Sequence, residues 1–193
     1  MNAVCWGLAA VALLSGQSSG RDGPRAEVWV NTQGVKVDPL HPPKGKTGVL
    51  VFMMTDCPIA NSYAPELHRI VSKYSAKGIL FGVVYVDSEL PAEAIQRHAE
   101  EFPVGCTVIA DPSRTLAYRA GAKVSPEAVV IGPKGDIVYR GRIDDRATGY
   151  GKILPQPRRH DLRLTLDAIL AGKPVPRAST PCVGCFISAP SSK

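Results

Sequence analysis

The chain has 193 residues, 45% of them hydrophobic and 21% charged, enough for one domain with a substantial core. Its formal net charge is +6, from 23 Lys and Arg against 17 Asp and Glu, but the two signs alternate along most of the sequence. No basic cluster interleaved with aromatics points to nucleic acid, and five cysteines are too few for a disulfide-built scaffold.

The apolar run from Val4 to Leu14 has the length of a secretory leader and is too short to span a bilayer. Gly16 and Ser18 follow it in a cleavage-like arrangement, although no Lys or Arg precedes it. Residues 1–18 therefore read as a signal peptide, 19–26 as a tether, 27–172 as the folded domain and 173–193 as a cysteine-containing tail. Export to the periplasm or the outside would discard Cys5, with no stable membrane insertion afterwards. Cys57, Cys106, Cys182 and Cys185 would remain, free to pair in three ways.

Glu27–Val30 and Val35–Val37 flank Thr32-Gln33-Gly34 as a short hairpin. The unbroken apolar run Val49–Met54 reads as a strand covered on both faces. From Asn61 to Lys77 the spacing of Ala64, Leu67, Ile70, Val71 and Tyr74 is helical, with Pro65 expected to kink the helix and Gly78 to stop it. Ile79–Val86 is a second buried strand, so strand, helix and strand form a right-handed crossover with parallel strands. Pro91–Glu101 reads as a surface helix, Thr107–Ala110 as a strand and Ser113–Ala120 as a short helix. Glu127–Ile131 and Ile137–Arg140 form a hairpin across Gly132-Pro133-Lys134-Gly135-Asp136. Residues 144–157 read as irregular, and Asp161–Ala171 as a last helix burying Leu162, Leu166, Ile169 and Leu170. The sum is an α/β fold of three layers: a mixed central sheet with helices on both faces.

Cys57 lies where the first buried strand hands over to a helix. A thiol there faces unpaired amide N–H groups and the positive end of the helix dipole, which favour the reactive thiolate. The charge of Asp56 opposes this. The tail offers Cys182 and Cys185 as thiols to resolve a mixed disulfide on Cys57, with Gly184 permitting a tight turn; a local Cys182–Cys185 bridge is the alternative. Cys106, just before a buried strand, reads as core filler.

Three motifs carry a resemblance: Thr55-Asp56-Cys57-Pro58-Ile59-Ala60-Asn61-Ser62-Tyr63, Ser125-Pro126-Glu127-Ala128, and Tyr139-Arg140-Gly141-Arg142-Ile143-Asp144-Asp145-Arg146. Together they resemble the redoxin branch of the thioredoxin-like superfamily. Within that branch they look like the bacterial peroxiredoxin-like group related to alkyl hydroperoxide reductase and thiol-specific antioxidant. The likeness covers roughly residues 27–175. It implies a thioredoxin-like fold with a redoxin-type insertion and a redox-active Cys57. It also implies a cis-proline element in which Ser125 and Pro126, with Pro58, shape the substrate site. The partners implied are protein thiols or disulfides, or a thiol reductant; no cofactor is implied.

The chain also departs from the family pattern. Ala60 stands where a thioredoxin has its second cysteine and where a true peroxiredoxin has its peroxidatic one, which argues against the usual peroxidase route. Two other readings compete. One is a copper or zinc site built from Cys57, Cys182, Cys185 and one of His68, His98 or His160; the other is a scaffold that kept the fold without the chemistry. Haem attachment at Cys182–Cys185 fails because Phe186 stands where the axial His would be. The alternating charges of Arg140–Arg146 read as internal ion pairs that close the irregular loop, with recognition of a substrate edge as the alternative.

Overall fold

The longest apolar runs can be covered on both faces, and they form the centre of the molecule. In this computed structural model, which describes residues 29–190, β3 (Gly48–Met53), β4 (Leu80–Tyr85), β5 (Thr107–Ala110), β7 (Glu127–Ile131) and β8 (Ile137–Gly141) make one sheet in the order β5-β4-β3-β7-β8. β3 runs parallel to β4, and β4 to β5; β7 runs antiparallel to β3, and β8 to β7. All six residues of β3 are buried, and their alternation divides the core in two. Val49, Val51 and Met53 join one cluster, and Leu50 and Phe52 the other. Each fully buried large aliphatic or aromatic side chain contributes about 1.5–3 kcal/mol, which fixes this strand at the centre.

Helix α1 (Pro58–Ser75) and α4 (Asp161–Leu170) cover the first face, α1 through Leu67, Ile70 and Tyr74, and α4 through Leu162 and Leu166. The second face is covered by α3 (Thr115–Ala120) and by the small hairpin of β1 (Trp29–Val30) and β2 (Lys36–Val37). Helix α2 (Ala92–Glu101) buries Ile95 in the core and packs Ala99 against it. The α/β three-layer expectation holds. The predicted leader and tether, and the first residues of the predicted hairpin, lie outside the described residues.

Several details differ from the sequence reading. Helix α1 starts at Pro58, three residues earlier than expected, because proline suits the first helical turn, where its missing N–H would have no partner. Pro65 lies inside its uninterrupted span. Leu170, expected to be buried, is exposed at the last residue of α4, and Ile169 is half-buried. The segment expected to be irregular contains a hairpin of β9 (Ala147–Gly149) and β10 (Lys152–Ile153). The tail also forms a strand, β11 (Cys185–Phe186), paired antiparallel with β6 (Val124–Ser125) at the end of the sheet where β3 gives way to α1.

Candidate active site

The turn after β3 is fixed by side chains from three other segments. The Met54 N–H donates to Ser125 Oγ at 2.8 Å, and the Thr55 N–H and hydroxyl donate to the Asp87 carboxylate at 3.2 and 2.9 Å. Asn61 Nδ2 reaches back to the Thr55 carbonyl at 2.9 Å. This places Cys57 at the N-cap of α1 in extended conformation, φ −88° and ψ 104°.

One sequence expectation is corrected here. The Cys57 side chain makes no capping bond to the helix amides. Its thiol donates instead to the Ser125 carbonyl at 3.2 Å, and the residue is 0% exposed. Sulfur is a weak acceptor for backbone N–H groups, whereas the buried carbonyl requires a donor. The positive end of the helix dipole still lies beside the sulfur, because Cys57 occupies the N-cap of α1.

The Ser125–Pro126 peptide bond is cis, the isomer the sequence predicts, and both residues are buried. Pro58 is exposed beside them at the start of α1. Against this element lies β11, with Cys185 opposite Ser125 and Phe186 opposite Val124. The Cys185 thiol lies beside Cys57. The interaction between the two thiols, followed by burial and the nearby charges of Cys57 and Asp56, pushes the Cys185 pKa up to about 11. Ala60 leaves the usual second-cysteine position empty of sulfur, and a thiol from the far end of the chain comes to Cys57 instead.

The two tail cysteines part company. Cys182 lies against Glu127, and burial first, then the Glu127 charge, push its thiol well above the ordinary range. The same carboxylate accepts the N–H groups of Lys123 at 2.7 Å and Val124 at 3.2 Å, which holds the strand that β11 pairs with. Cys106 is half-buried against the first core cluster, and burial pushes its pKa up to about 12.

What aims the tail at Cys57 was not anticipated from the sequence. The Arg140 N–H donates to the Ala178 carbonyl at 3.0 Å, and the Thr180 N–H to the Arg140 carbonyl at 3.1 Å. The Thr180 hydroxyl meets the Tyr139 hydroxyl at 2.7 Å and accepts the Arg142 N–H at 3.1 Å. A Cβ at Gly141 would lie 2.6 Å from the Thr180 carbonyl oxygen, so only glycine allows this approach. Further along, the Tyr150 hydroxyl, presented between β9 and β10, donates to the Gly184 carbonyl at 2.7 Å. Gly184 is small for a different reason from the one expected. A Cβ there would collide with the Ser125 carbonyl oxygen and approach Val124 Cγ1 at 2.9 Å.

The charged stretch after β8 pairs internally. Asp161 binds Arg142 and Arg159, each at 2.7 Å, and Asp145 accepts the N–H groups of Arg158 and Arg159 at 2.7 and 2.9 Å. Tyr63 donates to Asp144 at 2.7 Å, while the Arg146 guanidinium sits 4.4 Å from the Tyr63 ring centroid. Burial pushes the Glu66 carboxyl up, but Arg163 and Arg69 outweigh it and leave the group below its ordinary value. These pairs tie α1 to α4 and to the loop beside the tail. Among the described residues, the group of three His, Cys or carboxylate side chains close enough to share a cation is Glu66, Asp144 and His160, which contains no sulfur. Both carboxylates in it are already bonded, Glu66 to arginines and Asp144 to Tyr63.

The sequence model of the Redoxin family matches residues 19–154. No curated protein matches the chain in sequence. Among solved structures, an uncharacterized conserved protein from Geobacillus kaustophilus shares 25% identity over 87% of this chain and 92% of its own, with a TM-score of 0.73. A protein from Sinorhizobium meliloti 1021 shares 22% identity over 86% and 92% of the two chains, with a TM-score of 0.72. A thiol-disulfide oxidoreductase from Bacteroides fragilis shares the fold at 18% identity, over 59% of this chain and 85% of its own, with a TM-score of 0.52.

Proposed function

The chain belongs to the Redoxin family, and from that premise we propose that it is a thiol–disulfide oxidoreductase in which Cys57 is the attacking thiol and Cys185 the resolving one. The observation that carries this reading is the pairing of Cys185 with Ser125, which brings its thiol to Cys57 although 128 positions separate the two (185 − 57). The neighbour of the same fold from Bacteroides fragilis is named for that activity.

Cys57 as thiolate attacks one sulfur of a substrate disulfide. A Cys57–substrate bond forms, and the other substrate sulfur leaves as thiolate. Cys185 then attacks Cys57 Sγ, its proton passing to the departing substrate sulfur, and the Cys57–Cys185 bond forms. Two electrons have moved from the protein dithiol to the substrate disulfide, and an external thiol reductant restores the resting pair. Run backwards, the same steps hand the bridge to a substrate dithiol. Keeping the Cys185 proton up to about pH 11 suits this order, because Cys185 waits as a thiol while Cys57 acts first. Ser125, Pro126 and Pro58 shape the surface against which the substrate sulfur lies. The leader-like run Val4–Leu14 supports a periplasmic or secreted location. No described helix is long and apolar enough to cross a membrane.

The test is reduction of a model protein disulfide by the full chain with a thiol reductant. Cys57→Ser should abolish turnover, and Cys185→Ser should leave a mixed disulfide trapped on Cys57 that survives gel electrophoresis. Equal turnover by Cys57→Ser and the parent chain would refute the assignment.

A further inference from the structure

Cys57 is 0% exposed, so no macromolecular disulfide can reach it in this conformation. Part of what encloses it is the tail. Val183 and Cys185 pack against the core cluster that contains Cys57, and β11 adds a strand to the Ser125 edge. The tail is lightly held there. Beyond its two paired residues and the contacts of Cys182 with Glu127 and of Val183 with the core, it is fastened by the Tyr150 hydroxyl on the Gly184 carbonyl, by the Ile187 N–H on the Lys123 carbonyl at 2.9 Å, and by Ile187 against the second core cluster. Phe186 contributes little burial, being 78% exposed.

The approach is also selective. Only a residue without a side chain fits at position 184, because the Ser125 carbonyl occupies the space a Cβ would need. Immediately after it comes the sulfur that faces Cys57. The tail therefore presents a glycine-cysteine pair, extended and antiparallel, to a backbone edge that reads both the absent side chain and the thiol.

We infer that residues 182–187 are a tethered stand-in for the substrate, and that the external partner is an extended polypeptide whose own Gly-Cys pair replaces Gly184 and Cys185 against Ser125. This rests on Cys57 being the attacking thiol, as proposed above. The tail lifts from its root at Thr180, breaking the Tyr150 bond to the Gly184 carbonyl, and the partner strand pairs with Val124–Ser125. Cys57 Sγ attacks the cysteine sulfur of the incoming disulfide. A Cys57–peptide bond forms, the peptide's former sulfur partner leaves carrying the electron pair, and the Cys57 proton passes to solvent.

The probe is a synthetic hexapeptide, Val-Gly-Cys-Phe-Ile-Ser, carried as its mixed disulfide with thionitrobenzoate, beside a control peptide with alanine in place of glycine. The protein is the full chain carrying Cys185→Ser, so that an adduct on Cys57 is not resolved. Release of thionitrobenzoate gives the rate, and mass spectrometry locates the peptide on Cys57. Adding Gly184→Ala, which cannot seat against Ser125, should speed adduct formation at least tenfold. The glycine peptide should outpace the alanine peptide at least tenfold. Tyr150→Phe, which removes a single hydroxyl from the surface, should accelerate opening a few-fold and guards against a misfolded Gly184→Ala chain. Equal rates for the two peptides, or no acceleration in either variant, overturn the inference. The redox assignment is read separately, from whether the parent chain forms a Cys57–Cys185 bridge, so the two can fail independently.

Discussion

The tail is built in two parts, and they are held very differently. Residues 178–180 are locked beside β8 by backbone bonds in both directions, a buried hydroxyl pair and a glycine that admits nothing larger. Residues 184–187 rest on a two-residue strand, one tyrosine hydroxyl, one further backbone bond and the packing of Ile187. In the proposed mechanism, a segment firm at its root and light at its tip would keep its thiol near Cys57 at high effective concentration while still releasing the site. Rigidity throughout would bury Cys57 permanently; looseness throughout would cost the proposed resolving step its proximity.

The contrast can be broken from either end. The largest effect is expected from Gly141→Val at the root. Its side chain must displace the Thr180 backbone, so stability should fall by about 1–3 kcal/mol, as overpacked sites generally do. Denaturant titration measures this loss, and Cys57–Cys185 bridging should slow in parallel.

Next is Glu66→Gln, which strips the partner from Arg163 and so loosens α4, the helix that delivers the tail. The pair is only partly shielded, so about 1–2 kcal/mol is expected. Because the Glu66 pKa is lowered in the folded state, its contribution is present above the ordinary glutamate value of 4.5 and is lost as pH falls through the lower folded value. The parent chain should therefore lose stability in acid more steeply than Glu66→Gln does.

At the tip, Tyr150→Phe removes one hydrogen bond from a residue that is 67% exposed. About 0.5–1 kcal/mol of local closure should go, leaving global stability nearly unchanged. Alkylation of Cys57 by a small maleimide should rise about two- to fivefold, a change that a purely global effect would not produce.

The smallest effect concerns pH. The Cys185 pKa is raised in the folded state from an ordinary 9.0 to about 11. Its contribution to stability is complete below pH 9 and is lost as pH rises to 11, because the unfolded thiol ionises first. A modest alkaline decline, absent from Cys185→Ser, is the expected result.

Much of this arrangement was legible in the sequence. The continuous run of β3 and the helical spacing of Leu67, Ile70 and Tyr74 gave the layers, and the Cys57-Pro58 and Ser125-Pro126 pairs, which the fold brings together, marked the candidate site. The direction in which the Cys57 thiol points was not legible, because the choice between helix amides and the Ser125 carbonyl depends on a strand 68 residues away. Nor was β11, since two residues cannot display a period. Tyr150 and Gly184 carried no local signal at all; their roles exist only where the tail crosses the end of the sheet.

The most direct test of the central claim is peptide mapping of the parent chain after mild oxidation, with free thiols alkylated beforehand in a reduced control. The account predicts a bridge between the peptides containing Cys57 and Cys185, with Cys106 and Cys182 left free. A Cys182–Cys185 bridge with Cys57 still a free thiol would contradict it.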